Sequence, residues 1–238
     1  MKDFADIWTY LSQGPLLWLA ATLAAYAIGD AAWRASGKSP LVNAVPVAVV
    51  ILAGLLWTTG TTYATYFEGA QFVHFLLGPA TVALSLPLWE ARRHVRRAVL
   101  PILAALVAGS LTAMVSTLLI ARAFGVTGKM LASLSAKSTT APVAIGIAEA
   151  VGGSPTLTAV LVILTGVTGA VVATPLLNAL GLTDWRARGF AVGVAAHGLG
   201  TARAMQVHPV AGAFAGLGMG MNAVLTAILA PLILNLFR

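Results

Sequence analysis

The 238-residue chain has no cysteine, which excludes disulfides, thiolate metal sites and thiol nucleophiles together. Charge is almost as scarce. The 14 Lys and Arg and 7 Asp and Glu make up 9% of the residues, against roughly a quarter in a soluble domain. So few charges cannot cover a water-facing surface, which rules out a soluble enzyme domain. Equally absent are a Ser-His-Asp set, paired catalytic carboxylates and a phosphate-binding loop, so no enzymatic activity is expected. The four histidines, His74, His94, His197 and His208, are scattered without paired carboxylates, and neither a metal site nor a cofactor is expected.

What the chain has is hydrophobicity, at 59% of its residues, which also excludes intrinsic disorder. Apolar runs recur along its length, most of them near the roughly 20 residues that cross a bilayer as a helix. The strands of an outer-membrane barrel would be shorter and would alternate in polarity. The expected fold is therefore an all-α polytopic membrane protein, one domain over residues 1–238, with the lipid bilayer as its surroundings. The net charge of +7 does not point to nucleic acid, because the basic residues sit in short connections where membrane orientation explains them.

The runs cover residues 16–33, 41–58, 71–89, 99–121, 129–151, 157–180, 189–204 and 211–237, which predicts seven to eight transmembrane segments. Residues 59–69, with Tyr63, Tyr66, Phe67 and Glu68, read as a connection at the headgroup interface. Gly78-Pro79 and Pro87 predict a kink or break in the third run. Two runs are interrupted at their centres: 129–151 around Ala136-Lys137-Ser138-Thr139-Thr140-Ala141-Pro142, and 189–204 around His197-Gly198-Leu199-Gly200-Thr201-Ala202-Arg203. Arg92, Arg93, Arg96 and Arg97 form the densest positive loop, which the positive-inside tendency places in the cytoplasm, leaving the N-terminus outside. If 129–151 crosses the membrane, Arg186 and Arg188 fall outside; if it is re-entrant they fall inside, as the tendency prefers. Asp30, near the end of the first run, reads as interfacial. Gly212, Gly216 and Gly220 form a small-residue stripe for close helix packing, within the chain or in a homo-oligomer.

Two constellations carry chemistry. An ammonium near mid-bilayer costs about 2.5–3.5 kcal/mol even on lenient scales, so Lys137 needs compensation. Ser138, Thr139 and Thr140 supply hydroxyls, and Pro142 favours extended backbone before it. Irregular backbone at membrane depth is tolerated only in protein or beside a wet cavity. Together these features describe a small polar pocket for a small anion. In the second constellation Gly198 and Gly200 let the backbone turn or approach a ligand, His197 and Thr201 share a helical face, and Arg203 is suited to grip a carboxylate. A broken helix would also aim an N-terminus with free N–H groups at that anion. Asn222 is an amide inside an apolar span, which either lines a pathway or bonds a neighbouring helix.

The strings Leu77-Gly78-Pro79-Ala80-Thr81, Lys137-Ser138-Thr139-Thr140-Ala141-Pro142 and His197-Gly198-Leu199-Gly200-Thr201-Ala202-Arg203, followed by Gly212-Ala213-Phe214, resemble the LrgB/CidB family of holin/antiholin-like membrane proteins. The resemblance extends over about residues 40–235. It implies a bacterial cytoplasmic membrane location. It also implies a small monocarboxylate of the pyruvate, lactate, glycolate or glycerate class as cargo, because the plastid glycolate/glycerate translocator contains a similar domain. Lys137, Ser138, Thr139, Thr140, Pro142, His197, Gly198, Gly200, Thr201 and Arg203 take the motif positions. The family's historical description implies a different role: regulating murein hydrolase export and lysis together with a small holin-like partner. The chain departs from the family at Ala136, where proline is common, and at Gln206, His208 and Ala211, where acids are common.

Overall fold

The computed structural model describes residues 14–37, 39, 42, 44–76, 89, 96 and 98–237, with no account of the His74 side chain. Among these residues there are nine helices and no strand, in two compact units, Met1–Ala83 and Leu84–Arg238. The expectations for Gly78-Pro79, Pro87, Arg92, Arg93 and Arg97 lie outside the described residues.

The first unit holds α1 (Pro15–Ala35), α2 (Ala44–Thr59) and α3 (Tyr63–Phe75). Pro15 opens α1 at a position where a missing N–H costs nothing. Trp18 is fully buried, its ring edge-on to Tyr66 with centroids 5.9 Å apart. The Thr22 hydroxyl donates to the Trp18 carbonyl at 2.7 Å and lies 3.1 Å from the Tyr66 hydroxyl. A Cβ on Gly69 would strike the Pro15 carbonyl, so α3 packs on α1 only because this residue is glycine. Asp30 pairs locally with Arg34 at 2.5 Å, a partly exposed i,i+4 bridge contributing about 0.3–0.5 kcal/mol. The stretch 59–69, expected as a connection, is helical from Tyr63 onward. The chain turns instead at Gly60 (φ 65°), and one-turn spacing lets Tyr63 stack on Phe67 at 5.7 Å.

The second unit holds α4 (Val99–Ala123), α5 (Gly128–Leu134), α6 (Ala141–Val151), α7 (Pro155–Ala179), α8 (Trp185–Val207) and α9 (Pro209–Asn235). Helices α1, α4, α7 and α9 are long and apolar enough to cross a membrane; α2 is a shorter apolar helix of 16 residues. Helices α5 and α6 are separated by turns around Ala136–Thr139, as the sequence predicts. The segment then doubles back: the backbone N–H of Ser154 donates to Ser133 Oγ at 2.7 Å, and Thr158 Oγ1 donates to the Ser133 carbonyl at 3.2 Å. Ser133 is five residues from Gly128, at most about 17 Å of chain. Residues 128 and 154 therefore cannot lie a bilayer apart, and 128–154 is a helical hairpin.

Helix α8 is a second hairpin. A straight helix of its 23 residues would be about 34 Å long, yet the indole of Trp185 at its start stacks on the imidazole of His208 just past its end, with centroids 4.8 Å apart. The fold is at His197, with φ 42° and ψ −135°, the one non-glycine positive φ among the described residues. The first arm runs alongside α9 in the same direction, Gly189 and Gly193 against the backbone of Ala211 and Ala215. The second runs back, Gly198 facing Met219 and Gly212 facing Met205. The run 189–204, expected as an interrupted or re-entrant element, thus folds back on itself as a hairpin.

The hairpins open in opposite directions. The Arg122 guanidinium at the end of α4 donates to the carbonyl of Phe237 at the end of α9. Leu118, Leu131, Val151, Val162, Ile233 and Leu234 share one apolar cluster, so the first hairpin's base lies at that end. From there α7 leads away to the base of the second hairpin and the start of α9. Close packing follows the expected stripe at Gly212, where a Cβ would fall 2.5 Å from Met205, but not at Gly220, where it would meet nothing within 4 Å; Gly189, Gly193 and Gly218 also lie against neighbouring backbone, all of it where α8 packs on α9.

Candidate functional site

Both tips reach the middle of α4 and α9, where Asn222 joins them. This amide is 1% exposed. Its Nδ2 donates to the carbonyls of Ser138 in the first tip and Val194 in the second hairpin, both at 3.1 Å. Its Oδ1 accepts from Ser110 Oγ on α4 at 2.6 Å and Thr226 Oγ1 at 3.3 Å. The break at His197 frees the Val194 carbonyl from its helical partner, and the turn at 135–139 frees that of Ser138. One side chain therefore satisfies a carbonyl released by each hairpin. With all four hydrogen-bonding positions used, Asn222 clasps the two tips together.

Lys137 stands at the first tip. Its Nζ is 3.4 Å from Ser138 Oγ, and it makes no ion pair among the described residues. Glu149, the acid of the same segment, is exposed on α6. Ser110, Met114, Ser135, Lys137, Ser138 and Asn222 line a small cleft here. Beside it Thr139 is 1% exposed and its Oγ1 has no partner, a buried hydroxyl left short of a hydrogen bond. Thr140 is the extended N-cap of α6 and Pro142 sits in its first turn, without a side-chain cap. The free N–H groups of α6 and its partial positive charge therefore point toward the tip.

His197 stands at the second tip. It is buried, and its Nε2–H donates to the Val162 carbonyl on α7 at 2.9 Å. A Cβ on Gly166 would fall 2.6 Å from the ring, so α7 makes room for it with glycine. The chain turns at His197 itself, and Gly200 allows the returning arm to touch Val192 and Ala196. Thr201 is buried with its hydroxyl 3.9 Å from the Met219 sulfur. Arg203 stands apart from Lys137: six residues past the tip, about 9 Å along the arm, it lines a separate cleft with Trp185 and Arg188. The structure thus gathers Lys137, Ser138, Thr139 and Asn222 at one place and Arg203 at another. Sequence reasoning missed Ser110 and Thr226, whose only signal was a lone hydroxyl inside an apolar run.

Opposed helical hairpins meeting at mid-depth around an unpaired lysine define a polytopic helical membrane protein with a polar centre. The chain belongs to the LrgB-like family, which it matches over residues 22–236. It is 35% identical to an uncharacterized protein of Haemophilus influenzae over 199 residues, 84% of this chain and 86% of that one. It is 34% identical to the uncharacterized protein YxaC of Bacillus subtilis, with 84% and 88% covered. It is 29% identical to the holin-like protein CidB of Staphylococcus epidermidis, with 84% and 87% covered. No solved structure matches.

Proposed function

We propose that this protein is a secondary transporter of small monocarboxylates, of the pyruvate, lactate, glycolate or glycerate class, across the bacterial cytoplasmic membrane. The observation that carries the reading is the first hairpin tip, whose chain holds in succession a lysine without an acid, a buried hydroxyl without a partner and the N-terminus of α6. A carboxylate would neutralise Lys137 and accept from Thr139 and the α6 N–H groups, with Ser138 and Thr140 at its edge. The second tip, where the arm containing Gly198, Gly200 and Thr201 begins, aims another helix N-terminus at the same depth. Transporters with discontinuous helices hold anionic groups this way, and paired structural repeats of opposite sense allow alternating access. Counting each hairpin as no crossing puts Arg186 and Arg188 on the side of Arg92–Arg97, as the positive-inside tendency prefers.

The holin-like names of the staphylococcal relatives favour a second reading, a non-transporting antiholin-like regulator of lysis acting with a small holin-like partner. Uptake of labelled pyruvate, lactate, glycolate and glycerate into proteoliposomes containing this chain alone separates the two. Transport predicts saturable uptake, lost in Lys137→Ala. The regulator predicts no saturable uptake, and leakage only when the partner is added.

A further inference from the structure

The cleft at the base of the second hairpin contains a cation pair that the tip site does not use. Arg188 is 8% exposed. Its Nη1 donates to the Leu182 carbonyl at 2.9 Å, and its guanidinium lies 4.8 Å from the centre of the Trp185 ring. Across the cleft, from the returning arm, comes Arg203. Its Nη1 contacts Gln206 Oε1 at 3.5 Å, but its Nε is buried with no partner. Neither arginine makes an ion pair among the described residues, and Asp184, the acid nearest in sequence, is held by Arg186 at 2.5 Å. The walls are otherwise apolar, with Ala173, Leu177 and Val192, and Thr174 adds a hydroxyl. Two guanidiniums line one cleft with no carboxylate beside them among the described residues, and the buried Nε of Arg203 lacks an acceptor.

We infer that this cleft is a second anion site, separate from Lys137, that binds one oxyanion group, a carboxylate or a phosphate, through Arg203 with Arg188 as the supporting charge. A guanidinium presents Nε–H and Nη–H as a fork to two oxygens of one group, and the unpaired Nε marks the missing half. The site does not depend on transport. A carboxylate would come from a soluble acid on its way to or from the tip, and a phosphate from a phospholipid headgroup, since the hairpin base lies at the membrane surface.

The test uses the purified full chain with pyruvate and inorganic phosphate as soluble probes in calorimetric titration, and phosphatidylglycerol retention read by native mass spectrometry. Arg203→Gln removes no strong hydrogen bond, so its unfolding temperature should match wild type. Arg203→Lys keeps the charge without the fork. The expected result is that at least one probe binds Lys137→Ala, that Arg203→Gln weakens that binding at least tenfold, and that Arg203→Lys restores it only partly. Binding of pyruvate would identify the soluble acid, and retention of phosphatidylglycerol alone the headgroup. If no probe binds Lys137→Ala, or if Arg203→Gln binds every probe as Lys137→Ala does, the site is overturned. Uptake that fails while this binding persists would overturn the transport reading and leave the cleft standing.

Discussion

Asn222 shows how one amide decides a local structure. Replacing it with Leu leaves the Ser110 hydroxyl and the Ser138 and Val194 carbonyls unpaired in the interior, at about 1–3 kcal/mol for each buried group. Asn222→Leu should therefore lower the unfolding temperature in detergent strongly, whereas Ser110→Ala, which removes a donor while Thr226 still supplies one, should cost about 1 kcal/mol. Equal, small shifts in both would mean that Asn222 is not the clasp. Asp184 offers a pH test. Its side chain caps α8, accepting from the Arg186 N–H at 2.8 Å, and the Arg186 guanidinium and N–H pull its pKa down to about 2 from 3.8. A depressed carboxyl contributes stability above its unfolded pKa and loses it as pH falls through the folded value, so this contribution should fade between about pH 4 and pH 2. Solvent screening keeps it small. Asp184→Ala should cost about 1 kcal/mol at pH 7 and close to nothing at pH 2, in unfolding monitored by circular dichroism. A cost unchanged across that range would remove the ion pair from the account.

At the scale of the element, the hairpins depend on glycines where backbones touch. Gly193→Ala puts a methyl into the Ala215 carbonyl and Gly189→Ala one into that of Ala211, so each should destabilise by several kcal/mol, with about 3 as the working figure. Gly220→Ala meets nothing and should be near neutral in the same denaturation experiment. The sequence marks both interruptions but not their geometry. Lys137 and Pro142 are legible because charge and proline are anomalous inside an apolar run. That 189–204 turns back is not legible, because the turn is made by a histidine with positive φ, whose stability depends on the Val162 carbonyl and on Gly166, 31 residues upstream. The regular Gly212-Gly216-Gly220 spacing marks a close approach at Gly212 but not at Gly220, for the same reason. Close approach depends on which face a neighbour presents, and the neighbour here is an arm whose direction was unknown.

For the whole molecule, two hairpins of opposite sense give sidedness that can be read chemically, because the chain lacks cysteine and any introduced thiol is unique. Lys129→Cys and Thr156→Cys, both at exposed positions, should be labelled by an impermeant maleimide from the same side of sealed vesicles, and Thr183→Cys from the opposite side. Labelling of the first two from opposite sides would mean that 128–154 crosses the membrane. The membrane class and family were legible from composition and motif strings. The separation of Lys137 from Arg203 was not, because motif positions read along a string do not reveal that the second segment folds back and carries its arginine away from the tip. The central claim is that the first tip holds a small carboxylate, and its most direct test is the alkylation rate of Ser138→Cys, beside the Lys137 ammonium, with and without pyruvate. The account predicts saturable protection, at least tenfold, that disappears when Lys137→Ala is added; an alkylation rate indifferent to pyruvate and to the other three acids would contradict it.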